Sequence, residues 1–261
     1  MYKLPNDLLK YHELSDWAIL LGHRGSIAHG MYIPNSDPNS IDDKDVMGVC
    51  IPPIEYYWGL KEFGSRGTKE IKQGEWDIVI YEVKKFIHLL RKGNPNVLIM
   101  LWLEPEHYIY VSDIGKYIIE NRDIFIGKHI YHSFVGYALE QLKRMTHIKF
   151  EGYMGEKRKR LVEKFGFDCK NASHLIRLLR MCVEFLVDGR FYVYRTKDSE
   201  ELLAIKRGEW ALANVMIEAN RLFKECEALY SQSTLPESPD DESINKLCVK
   251  VLKLHFANTG Y

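Results

Sequence analysis

An apolar run, Trp17 to Leu21, passes through Gly22 into a small-residue turn, Gly25-Ser26-Ile27-Ala28-His29-Gly30. Asp43-Lys44-Asp45 follows and heads a second apolar run, Val46 to Ile51, which Pro52-Pro53 stops. A third run of strand length starts at Asp77 and continues through Ile78-Val79-Ile80-Tyr81. Side chains alternate along a strand, so Asp43 and Asp45 share one face, as do Asp77, Val79 and Tyr81. If these strands are neighbours, three carboxylates meet at one end of a sheet. Such a group repels itself unless a cation binds it.

The turn and the acids suggest one chemistry. Backbone N–H groups of a glycine-bearing turn can hold phosphate oxygens, and a Cβ at such a position would block the approach. Carboxylates can hold Mg²⁺ (or Mn²⁺) against the same phosphates, and two ions about four ångströms apart suit an in-line displacement at phosphorus. Taken singly, Asp-x-Asp reads first as a solvated turn before a strand. The combination is what points to nucleotide chemistry.

The rest of the composition narrows the class. The chain has 261 residues, enough for one large domain or two small ones. Acidic and basic residues balance at 36 each, so contact with a polyanion must come from a local patch. Five scattered cysteines without a C-x-x-C pair argue against a disulfide framework or a zinc knuckle and for a reducing compartment. No basic-then-apolar leader pattern is read after Met1, and the most apolar run, Val97 to Leu103, is too short to span a bilayer. A soluble, cytoplasmic protein without a membrane partner is expected.

The periodicity divides the chain into an α/β half and a mostly helical half, with domains expected at 1–115 and 116–261. A helix is predicted from Glu82 to Lys92, ended by Gly93-Asn94-Pro95. Further helices are predicted near 131–148, 155–165, 170–188, 198–206, 209–231 and 241–256. Tyr192 to Arg195 reads as a short extended piece, and the charged, glycine-rich Gly59 to Gly74 as a mobile segment or lid.

On these residues the chain resembles a known group. Gly25-Ser26-x-Ala28-His29-Gly30 with Asp43-x-Asp45-x-x-Gly48-Val49 is similar to the signature of the DNA polymerase β-type nucleotidyltransferases. More narrowly, it resembles the RlaP-like nucleotidyltransferases associated with RNA ligases. Supporting segments are Asp77 to Glu82, Gly93 to Val97, Ala172-Ser173-His174-Leu175-Ile176-Arg177 onward to Met181, and Glu201 to Trp210. The resemblance implies an α/β (α+β) fold: a small mixed sheet with helices, joined to a mainly helical C-terminal region. It implies that Asp43 and Asp45 bind metal and that Asp77, the third carboxylate, helps the attacking hydroxyl. It also implies an NTP substrate, an RNA end such as tRNA as acceptor, and an RNA ligase as pathway partner. Two other readings stay open: a protein acceptor, as in antitoxin-type nucleotidyltransferases, and a non-catalytic nucleotide sensor. The stretch Pro34 to Asp42 is longer than the usual link between turn and acids, which leaves Asp37 and Asp42 as rival acids.

Further candidates lie on the helical side. Lys170, His174 and Arg177 recur at spacings of four and three and form one polar stripe that reaches toward Glu184. They read either as a solvated face or as cations placed over an active cleft to steady phosphates. His29 could touch phosphate or serve the turn structurally. Lys157-Arg158-Lys159-Arg160, with Lys143, Arg144 and Lys149, is the densest basic region and could follow an RNA backbone, but Glu151, Glu156 and Glu163 dilute it. Tyr56, Tyr57 and Trp58 could stack on a base or pack in the core. No P-loop, serine elbow or zinc-protease motif is present.

Overall fold

A computed structural model describes residues 4–34, 36, 37, 40, 42–146 and 156–257 of the chain. The first elements are α1 (His12–Ser15), β1 (Ala18–His23), α2 (Gly25–Ala28), β2 (Lys44–Cys50), α3 (Glu55–Trp58), β3 (Thr68–Gln73) and β4 (Trp76–Glu82). Next come α4 (Val83–Arg91), α5 (Pro95–Leu98), β5 (Tyr108–Val111) and α6 (Asp113–Glu120). Five long helices and a last one follow: α7 (His129–Thr146), α8 (Glu156–Phe165), α9 (Cys169–Asp188), α10 (Ser199–Lys206), α11 (Leu212–Gln232) and α12 (Asp241–Ala257). The mixed sheet and the helical C-terminal region expected from the sequence are both present.

The chain forms two compact units. The first comprises residues 1–28, 43–127 and 238–261, and the second residues 29–42 and 128–237. The first unit holds a five-stranded sheet in the order β3-β4-β2-β1-β5. β2 and β4 run parallel, and the other neighbours are antiparallel. One face is apolar: Val46 and Cys50 of β2 and Ile78 and Ile80 of β4 join Leu8, Leu14, Leu21 and Phe63 in a buried cluster. By alternation the opposite face carries Asp45, Met47 and Val49 beside Asp77, Val79 and Tyr81. On that side α4 lies against β2 and β4, and a Cβ at Gly22 would come within 2.6 Å of Leu103 Cδ1.

Local chemistry sets the element ends. The Glu82 carboxylate caps α4 by accepting from the Lys84 and Lys85 amides, and Asn94 caps α5 in the same way. Asp168 accepts from the Asn171 amide at the start of α9, and Gly189 ends that helix in the left-handed region (φ +67°). α12 packs against α4 and α6, and Arg91 donates to both Asp241 oxygens at 2.7 and 2.5 Å.

Two expectations are corrected. The stretch Gly59 to Gly74 is not a lid: Thr68–Gln73 is β3, an edge strand paired residue by residue with β4. Its lone buried apolar residue, Ile71, among Lys69, Glu70 and Lys72 concealed it. Tyr192 to Arg195 joins no strand: its long-range bonds are single ones to His29, from the Arg195 amide to His29 O and from His29 Nδ1 to Val193 O. All five cysteines are free, four of them buried. No helix among the described residues is long and apolar enough to cross a membrane.

Candidate active site

The parallel register sets Asp45 of β2 directly opposite Asp77 of β4. Both side chains are about a quarter exposed, at the strand ends where the chain enters the sheet. Two like charges side by side repel, and Arg24 relieves them: its Nη2 stands 3.6 Å from Asp45 Oδ1 and 3.5 Å from Asp77 Oδ1. Lys72, opposite Asp77 on β3, adds Nζ at 3.5 Å from Asp77 Oδ2. The Arg24 amide donates to Asp45 O at 3.0 Å, extending the β1–β2 ladder by one rung and fixing the base of that arginine. Asp43 is exposed on the approach to β2. Among the described residues no group of three or more His, Cys, Asp or Glu side chains is poised around a metal site; the carboxylates form an arginine-bridged pair.

The turn lies against that pair. Gly25 has φ +61°, and a Cβ there would fall 2.3 Å from Asp45 Oδ2. Only glycine permits both the backbone conformation and this approach of the carboxylate. Ser26 Oγ is buried without a hydrogen-bond partner among the described residues, as is Arg24 Nε. A buried hydroxyl left so is short of roughly 1–3 kcal/mol, which an incoming phosphate oxygen can restore. Arg24 is a residue that the motif reading passed over. Its signal was a cation fixed in sequence between the strand and the glycine-serine turn.

Asp42, His29 and the α9 stripe lie in the second unit. Asp42 is fully buried and locked: Lys206 bonds one of its oxygens, Lys170 Nζ lies 3.5 Å from the other, and the Ile33 amide donates to it at 2.9 Å. As a rival to Asp43 it is ruled out by its partners. Lys170 is accordingly committed to Asp42 and does not stand as an unpaired phosphate ligand. His29 is also buried, with Nδ1 2.8 Å from Val193 O. A carbonyl only accepts, so Nδ1 carries the proton. Burial, followed by the charge of Arg177, holds the ring well below its ordinary pKa. His29 is therefore a neutral strut rather than a phosphate contact.

The stripe on α9 is not a solvated face. Arg177 is 6% exposed, and among the described residues its Nη1 meets only Met181 Sδ, at 3.2 Å. His174 stacks edge-on against Tyr137 of α7, with ring centroids 5.2 Å apart. Its Nε2 is buried without a partner among the described residues. Glu184, toward which the stripe was expected to reach, is taken by Arg195 at 2.6 and 2.8 Å. In the basic run, Arg158 turns inward to Asp168 and Asn171, while Lys149 and Glu151 lie outside the described residues. Among the aromatics, Tyr57 donates to Glu82 at 2.6 Å and Tyr56 packs on Trp17 and Phe63, whereas Trp58 is exposed.

Comparison with known proteins agrees with the sequence signature. A family model described as "RlaP: RNA repair pathway DNA polymerase beta family" matches residues 6–250. No curated protein matches the chain. Among solved structures, the chain is similar to a nucleotidyltransferase-like protein from Exiguobacterium sibiricum 255-15. The two share 8% identity with a TM-score of 0.31, over 87% of this chain and 73% of that one.

Proposed function

The chain belongs to the RlaP family, an RNA repair pathway DNA polymerase beta family, and from that premise we propose that it is a metal-dependent nucleotidyltransferase. It moves a nucleoside monophosphate from an NTP to an acceptor hydroxyl on an RNA end and releases pyrophosphate. One observation carries the reading: Asp45 and Asp77, in register on parallel strands, sit beside a turn whose Gly25 leaves no room for a Cβ. The Arg24 bridge marks the place between the two acids as one that takes positive charge.

The oxygen donors Asp43, Asp45 and Asp77 suit Mg²⁺ or Mn²⁺. Bound there, the ion would lower the charge barrier at the α-phosphorus. The chain's own groups do the rest. Gly25 N–H and Ser26 Oγ–H hold the β- and γ-phosphates, and Arg24 exchanges a carboxylate for a phosphate oxygen as the nucleotide enters. The acceptor oxygen forms a bond to the α-phosphorus while the bond to the bridging oxygen breaks, and pyrophosphate leaves with that electron pair. Asp77 takes the hydroxyl proton. Fixed donors facing the developing charge are the largest expected contribution to such a transfer.

The acceptor is tested by offering α-labelled NTPs and Mg²⁺ with tRNA or with lysate proteins. Label in RNA is the expected result, and an RNA ligase is then the natural enzyme to seal the product. Label in protein instead would transfer the chemistry to the antitoxin-type reading. Nucleotide binding without pyrophosphate release would leave a sensor.

A further inference from the structure

The helical unit holds a cationic cluster that no part of the proposed transfer uses. Arg177, Met181 and His174 lie on one face of α9, and Tyr137 closes against them from α7. Arg177, Lys170, Arg144 and Arg158 all act electrostatically on the His174 ring, whose Nε2 is buried without a partner among the described residues. The carboxylates of this unit that could answer them are engaged elsewhere. Asp42 is held by Lys206 and Lys170, Asp168 by Arg158, Glu184 by Arg195, and Asp198 by Arg195 and Arg180. Among the described residues Arg177 has no anionic partner, and a thioether sulfur is a weak acceptor for a guanidinium.

A buried charge without a counter-ion is strongly unfavourable. Burial pushes the Arg177 guanidinium down to about 9, well below any ordinary arginine, and drives His174 toward its neutral form. Both groups would gain from a dianion between them: the guanidinium donates two hydrogen bonds, and His174 Nε2–H donates a third.

We infer that the cluster of Arg177, His174 and Tyr137 is a phosphate-binding site, taking a terminal phosphate group of a nucleotide or of a nucleic-acid end. This assignment is independent of the carboxylate pair. It survives whether or not Asp45 and Asp77 transfer nucleotide.

The test is calorimetric titration of the full-length protein with inorganic phosphate in EDTA, alongside thermal melts in phosphate-free buffer. Wild type and an Asp45→Asn variant should bind phosphate alike. Arg177→Met and His174→Phe should each weaken binding by roughly tenfold to a hundredfold, the loss of charge-assisted hydrogen bonds. Arg177→Met should melt no lower than wild type, because it removes an unbalanced buried charge. Binding that is unchanged in both variants would overturn the assignment. So would an Arg177→Met protein that melts well below wild type while His174→Phe binds normally, the behaviour of a structural arginine. Competition identifies the source. Displacement of phosphate by a 5′-phosphorylated RNA oligomer but not its 5′-hydroxyl twin assigns the site to an RNA end, and displacement by ATP assigns it to the donor.

Discussion

Asp42 and Asp43 are chain neighbours with opposite fates. Asp42 is buried under two lysines, while Asp43 is exposed at the mouth of β2. Asp42→Asn is expected to destabilise the protein by about 3–5 kcal/mol, the cost of leaving the buried Lys206 short of its anion. Asp43→Asn should change stability by less than about 0.5 kcal/mol yet lower nucleotide transfer. Urea unfolding and a transfer assay on both variants check the pair, and equal stability losses would refute the assignment. Gly25→Ala should cost about 1 kcal/mol or more, since φ +61° is strained for alanine. It should weaken NTP binding further by displacing the Asp45 carboxylate. Motif reading could find Gly25, Asp45 and Asp77 because their chemistry is local to a turn and to strand ends. It could not tell Asp42 from Asp43, because the difference lies in Lys170 and Lys206, far along the chain. Nor could it foresee that Arg177 is buried, since a cation at helical spacing looks the same on a wet face or a dry one.

Among the elements, those with strong periodicity were legible and those with weak apolar content were not. The 20 residues of α9 carry an unbroken stripe of Leu175, Leu178, Leu179, Cys182 and Phe185, all buried, and the predicted span differs from the observed one by a single residue. β3 offers only Ile71 to the core and places charges along the sheet edge, which protects an exposed strand from pairing with other chains. That protective pattern is what resembled a loop. β5 is short and half-exposed and was equally silent. Hydrogen exchange separates an edge strand from a lid. The β3 amides that face β4 should be protected relative to free peptide, and exchange at the free-peptide rate would contradict the pairing.

At the scale of the whole molecule, the chain passes between the units four times and builds each from distant segments. Residues 29–42 join the helical unit, and residues 238–261 return to the sheet-bearing one. Apolar periodicity shows that α12 needs a partner but cannot say that α4 and α6 supply it. Two histidines give the fold a pH signature. His29 and His174 are held neutral, with folded pKa values below the ordinary 6.5. Below about pH 6.5 the unfolded chain takes up protons that the native state refuses, so stability is complete above that pH and falls as pH drops. Unfolding measured at about pH 7.5 and about pH 5.5 should show the loss, and His29→Gln should flatten the slope.

The transfer reading is tested most directly by the rate at which label from α-labelled NTP and Mg²⁺ enters acceptor in wild type, Asp45→Asn and Asp77→Asn, each checked for intact fold. Wild type should transfer label, and each variant should lose at least about a hundredfold while melting near the wild-type temperature. Variants that transfer as fast as wild type, or a wild-type protein that labels nothing with any of the four NTPs, would contradict it.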